Sequence, residues 1–132
     1  MQLLWLARLA SISLGAIIGS LGRYALNLLI PRETISSFPW NTLITNLLGA
    51  FVAGIIAALS TKFNIPKNIK LFIFVGILGA FTSFSAFALE NFLLLNTGKL
   101  YLAITNIVAS NTFGILLFSL GFFMFQFLLS LK

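Results

Sequence analysis

Between Gly76 and Phe87 the chain reads Gly76-Ile77-Leu78-Gly79-Ala80-Phe81-Thr82-Ser83-Phe84-Ser85-Ala86-Phe87, its strongest chemical feature in an otherwise greasy sequence. Two glycines followed by Thr82, Ser83 and Ser85 make a poor uninterrupted helix. At membrane depth a break would free backbone carbonyls and N–H groups, tolerated only where protein, water or an ion satisfies them. Carbonyls turned out of such a break form a site for a hard cation. A kinked but continuous helix, with its glycines used for packing, is the equally open reading. Beyond the break, Ser83, Phe84, Phe87, Glu90 and Asn91 share one face. An aromatic ring has a positive edge, so rings presented edge-on can line the path of a small anion without trapping it by full charge. With 15 phenylalanines in the chain, core or lipid contact is the ordinary role of any one ring.

Two other stripes carry neutral donors and acceptors. Thr42, Asn46 and Gly49 lie at i, i+4 and i+7, and Asn106, Ser110 and Gly114 repeat at i+4 steps with Asn111 beside them. The Asn46 amide can offer two N–H donors inside a bundle. An interhelical hydrogen bond and a ligand contact are equally compatible with its spacing. Ser and Thr often bond the preceding carbonyl in membrane helices, so a structural role suits each one singly. Two such stripes facing inward make a polar track without fixed charge. Arg23, deep in an apolar run, must snorkel, pair or bond carbonyls. Stabilising the fold or an interface comes first for it, and attracting an anion into a vestibule second.

Other chemistries are closed. With no Cys and no His there are no thiolate or imidazole metal sites, no Ser-His triad and no disulfide. Glu33 and Glu90 are the only acidic residues, too few for a proton-coupled pump or a two-carboxylate hydrolase. The expectation is that the chain is not an enzyme.

The elements that position these residues follow from composition. Hydrophobic residues make up 60% and charged residues 8% of the 132, with mean hydropathy +1.10. A soluble domain carries about 25% charged residues, so this surface must face lipid or another subunit. Four apolar stretches, about 9–30, 40–59, 69–95 and 100–131, are each long enough for a bilayer core of about 30 Å. The class predicted is an all-α membrane protein of one domain, 1–132, with four transmembrane helices and the third broken near mid-membrane. Residues 1–8 form an interfacial lead-in, and the following run lacks a small-residue cleavage site, so it stays as mature structure. The loop at 31–37 holds Arg32 and Glu33, and Trp40 anchors an interface. The net charge of +6 comes from basic residues scattered between apolar runs, which argues against nucleic acid. An even number of spans puts both termini on one side, with Arg8, Lys62, Lys67, Lys70 and Lys132 against Arg32 and Lys99. By the positive-inside rule that side is cytoplasmic, though the asymmetry specifies orientation only weakly. Gly15 and Gly19 with Gly22, and Gly49 with Ala53 and Ala57, are faces for close helix approach, within the chain or in a dimer.

Together these residues resemble the Fluc/CrcB family of fluoride channels. The matching segments are Gly15-Ala16 with Gly22-Arg23-Tyr24, Asn41-Thr42-Leu43 with Asn46 and Gly49, and Gly79 to Phe87 ending at Glu90. Asn106, Ser110 and Gly114 resemble the family's fourth helix. Asn41 stands where the family has Gly, Ser83 where its second Thr sits and Ala86 where a third often does, leaving Phe84 and Phe87 untouched. The resemblance implies an antiparallel dual-topology dimer in the plasma (inner) membrane, a homodimer or a heterodimer with a paralogue, surrounded by lipid. It implies passive fluoride export that reduces fluoride toxicity. Phe84 and Phe87 would present ring edges to fluoride and Asn46 would donate to it. Thr42, Ser83, Ser110, Tyr101 and Glu90 would belong to the same pathway. Arg23 would sit near the vestibule and interface, and the carbonyls of Gly79 and Thr82 from each subunit would hold a structural Na⁺. Two alternatives stand beside it. A small multidrug-type proton-coupled cation transporter needs a carboxylate in its first helix, which this one lacks; a non-conducting structural subunit would not require the third-span break.

Overall fold

The computed structural model describes residues 2–30 and 37–131, and all regular structure among them is helical. Four helical spans are long and apolar enough to cross a membrane: Gln2–Leu29, Trp40–Lys62, Lys67–Asn96 and Leu100–Ser130. The first is α1 (Gln2–Leu29) and the second α2 (Trp40–Lys62). The third begins with α3 (Lys67–Lys70), widens into a π-helical stretch over Leu71–Leu78, continues as α4 (Gly79–Phe81) and resumes as α5 (Phe84–Asn96). The last is α6 (Leu100–Ser130). The expected loop residues Pro31 to Ser36, including Arg32 and Glu33, and also Lys132, lie outside the described residues.

The ends of these elements follow from local chemistry. Pro66 stands just before α3, where its missing N–H costs nothing. The turn from α5 to α6 closes on Gly98 at φ +75, with Gly98 N–H donating to the Leu95 carbonyl and Lys99 N–H to that of Leu94. This is a Schellman-type ending, in which a left-handed glycine satisfies the last carbonyls. α1 is already helical from Gln2 and takes in the segment expected as an interfacial lead-in. With no Pro or Gly before Gly15, nothing in that segment interrupts the helix.

Glycines decide which spans touch. A Cβ at Gly15 would press on the carbonyl of Phe72 and the backbone of Gly76, and one at Gly19 on the carbonyl of Ile77. Gly54 and Gly121 do the same for α2 and α6, against the backbones of Phe118 and Phe51. The first span therefore runs parallel to the third, and the second parallel to the fourth, backbone against backbone. Lys62 adds to the second pair by donating to the Leu129 carbonyl at 2.6 Å. The expected small-residue face of α2 is turned by one position in part, for its buried small residues are Gly49, Gly54 and Ala58. Gly54 and Ala58 lie on the flank that α6 covers, whereas Gly49 and Ala53 line a separate groove beside the third span.

The interior of a single chain is small: among the described residues, the buried hydrophobic side chains are Leu43, Ala58, Leu78, Leu94 and Ala103. Large apolar side chains such as Leu14, Leu21, Phe92, Ile115 and Phe123 are exposed along the whole length. Apolar area on this scale must be removed from water by lipid or protein. The chain is a multi-pass integral membrane protein.

Candidate functional site

The third span changes course at Thr82 and Ser83, whose ψ values of 158 and 103 are extended rather than helical. Ser83 then caps α5, its hydroxyl accepting from Ala86 N–H at 3.1 Å. This is the N-cap geometry Ser favours. The Ser83 N–H donates to Asn46 Oδ1 at 2.8 Å, and Asn46 Nδ2 reaches back to the Ser83 carbonyl at 3.4 Å. One side chain of α2 thus serves both backbone polar groups of the residue that leaves the helix. Elsewhere at this depth backbone groups have no water to turn to.

Two carbonyls change status as a result. In a continuous α-helix the N–H of residue i+4 bonds the carbonyl of residue i. The partner of Gly79 would be Ser83 N–H, which goes to Asn46, and the partner of Thr82 would be Ala86 N–H, which goes to the Ser83 hydroxyl. Both residues line an open groove of about 330 Å³ shared with Asn46, Gly49, Ala53 and Phe74. Carbonyl oxygens relieved of their helical donors are the ligands a hard cation takes, so the residues present fit Na⁺.

On the other side of Asn46 lies a polar cavity of about 560 Å³, lined by Arg23, Asn41, Thr42, Thr45, Ser83 and Glu90 among others. The Thr42 hydroxyl donates to Glu90 Oε1 at 2.5 Å and so joins α2 to α5. Thr45, 2% exposed, donates to the Asn41 carbonyl at 2.7 Å and faces Asn27. Half-buried Arg23 brings a guanidinium to the same space. Polar atoms from three spans converge here between apolar walls.

The residues singled out from sequence fall into three groups. Arg23, Thr42, Asn46, Ser83 and Glu90 meet at the cavity. Gly79 and Thr82 lie on the neighbouring groove, which Asn46 also borders. Phe84, Phe87, Tyr101 and Ser110 line neither cavity nor groove. Phe84 and Tyr101 are each 80% exposed, and the Phe84 and Phe87 rings are 5.5 Å apart with planes tilted by 37°. Sequence reasoning missed Asn27, Asn41, Thr45 and Ser85 at the cavity. A signal existed for Asn41 and Thr45, which flank Thr42 and Asn46 on the same turns of α2; Asn27 stands four residues after Arg23.

Residues 10–122 match the family model described as CrcB-like protein, Camphor Resistance (CrcB). The fluoride-specific ion channel FluC of Salinibacter ruber is 35% identical over 121 residues, covering 92% of this chain and 86% of the relative. That of Granulibacter bethesdensis is 42% identical over 102 residues, or 76% and 80% of the two chains. The fluoride-specific ion channel FluC 2 of Clostridium acetobutylicum is 41% identical over 115 residues, or 87% and 95%.

Proposed function

We propose that this chain, which belongs to the CrcB-like protein family, is a fluoride-selective channel that lets fluoride leave the cytoplasm down its electrochemical gradient and so limits its toxicity. A channel moves ions without covalent chemistry, in keeping with a chain that has no Cys, no His and two carboxylates.

The observation that carries this reading is the orientation of Asn46. Because Ser83 N–H can only donate, it holds Asn46 Oδ1 toward the break. The amide nitrogen has two N–H groups, and the contact to the Ser83 carbonyl uses at most one of them. A donor is left over beside a polar cavity, which is what a strongly hydrated anion needs in place of water. Neutral donors also avoid holding the ion too tightly to release. Arg23 draws the anion into the vestibule, and Thr42 keeps the Glu90 carboxylate engaged at its wall. The cavity runs past Ser83 along Ser85, Ala86 and Glu90 of α5, the helix that also carries Phe84 and Phe87. From there the path runs along the face of Phe84 and Phe87, whose ring edges are positive, with Tyr101 and Ser110 bordering it on α6.

The helix interruption at Thr82–Ser83 lies near the middle of the membrane in this account. Two copies pack as an antiparallel dimer, and the Gly79 and Thr82 carbonyls would be the groups to hold a Na⁺, which would supply positive charge at the interface. Exposed apolar area on one chain supports such a partner. The experiment is growth of cells that lack their own fluoride exporter in fluoride-containing medium. Expression of the chain restores growth, and Phe87→Ile does not while still assembling. Growth no better than an empty vector overturns the reading.

A further inference from the structure

Away from the cavity, the second polar stripe forms a continuous chain of hydrogen bonds. Asn106 is 1% exposed and Asn91 6% exposed, each an amide buried between α5 and α6. Ser110 Oγ donates to Asn106 Oδ1 at 3.2 Å, Asn106 Nδ2 donates to Asn91 Oδ1 at 3.2 Å, and Asn91 Nδ2 donates to the Phe87 carbonyl at 2.7 Å. The direction is fixed from one end. A carbonyl can only accept, so Asn91 must present its nitrogen to Phe87 and its oxygen to Asn106. Asn106 must then give its nitrogen to Asn91 and turn its oxygen to Ser110, whose hydroxyl proton is thereby committed inward. Reversing any one amide sets oxygen against oxygen inside a dry bundle, where an unmade hydrogen bond is costly.

We propose that Asn91 and Asn106 are positioning residues for conduction. The relay from Ser110 to the Phe87 carbonyl locks the rotation of α5 on α6, and with it the direction of the Phe84 and Phe87 ring edges. Asn91 lies one turn after Phe87 on the same face, so a bond from Asn106 to Asn91 holds the ring's own stretch of helix. Packing cannot supply this lock alone, because apolar side chains slide past one another where a directional bond does not. A second consequence concerns Ser110: with its proton on Asn106, it shows only lone pairs outward and borders the ion path without donating to the ion. The proposal rests on the fluoride-channel reading for its effect on flux, but not for the relay itself.

The test pairs two variants of similar size. Asn91→Thr keeps a hydroxyl able to donate to the carbonyl four residues back, as Thr45 and Thr97 do here at 2.7 and 2.8 Å. Asn91→Val keeps the shape and removes the donor. Fluoride efflux per channel in liposomes is expected to fall about tenfold or more in the Val variant and to stay within about threefold of wild type in the Thr variant. The carbonyl ¹³C resonance of Phe87 is expected to shift upfield in the Val variant and return in the Thr variant, a readout independent of conduction. Equal flux and equal resonances in both variants overturn the relay, as does equal impairment. If Asn91→Val does not assemble, Asn106→Ala decides: it deletes the amide that reaches Asn91 across the helix pair, so loss of about tenfold or more supports the relay, and flux within about threefold of wild type overturns it. Wild-type protein that shows the resonance pattern but no fluoride efflux defeats the channel reading while leaving the relay standing.

Discussion

The contact between α2 and α6 and the contact between α2 and the third span at Ser83 solve the same problem in opposite ways. Along α2 and α6, glycines remove side chains altogether, and two intact helices meet backbone to backbone at Gly54 and Gly121. At Ser83 the backbone itself is interrupted, and a side chain, Asn46, is brought in to satisfy it. The first contact satisfies every peptide within its own helix and gains dispersion, so it is rigid and chemically silent. The second leaves peptide groups dependent on a neighbouring helix, and open space lies on both sides of the residue that bonds them, polar on one side and mostly apolar on the other. Chemistry in this bundle is found where the helical ladder is given up, not where it is packed most closely.

Breaking the silent contact is expected to have the largest effect. Gly54→Leu places a branched side chain where even a Cβ meets the Phe118 carbonyl, and the pair must separate. Size-exclusion chromatography in detergent should show no assembled protein; a normal elution profile would mean that α2 and α6 do not meet at these glycines.

Next comes the polar contact. Asn46→Leu removes the acceptor of Ser83 N–H from a dry site, a loss of about 3 kcal/mol, equivalent to about 100-fold in an equilibrium or rate. Fluoride flux should fall by about that factor while the protein still elutes at the wild-type volume. Asn46→Asp, which keeps the oxygen for Ser83 N–H but loses the spare donor, sharpens the comparison: it should retain most of the thermal stability and lose most of the flux. If both variants conduct normally, the break does not depend on Asn46.

A smaller change is expected on the wall of the cavity. Thr42→Val deletes the bond to Glu90, worth about 1.5 kcal/mol, and flux should drop about tenfold. Unchanged flux would show that the carboxylate is held without Thr42. Smallest of all, Gly114→Ala should leave both melting temperature and flux nearly unchanged, because a Cβ there meets nothing within 4 Å. Lost flux with unchanged stability would instead reveal a second chain packed on that face.

These two contacts were unequally legible in the sequence. The four spans can be read from hydropathy because the bilayer sets their length and composition directly, and Gly15 and Gly19 announce close approach by their spacing. The partners do not follow from spacing. That Gly15 meets Gly76, or that Gly54 rather than Ala53 faces α6, depends on helix rotation, which a stripe of small residues leaves free by one position. The importance of Thr82, Ser83 and Asn46 was visible as polar residues in apolar runs. Their mutual bonding was not, since it joins positions 37 residues apart through a register only the packed chain defines. The π-helical stretch at Leu71–Leu78 could not be read from composition, since apart from Gly76 it is a run of ordinary apolar residues.

The central claim is that the polar space around Asn46 and Ser83 passes fluoride and little else. Its most direct test is purified wild-type protein in liposomes loaded with fluoride and chloride, with the membrane potential short-circuited and both anions followed by ion-selective electrodes. The account predicts rapid loss of the trapped fluoride while chloride stays inside. Fluoride efflux no faster than from protein-free liposomes, or chloride leaving alongside it, would contradict the account.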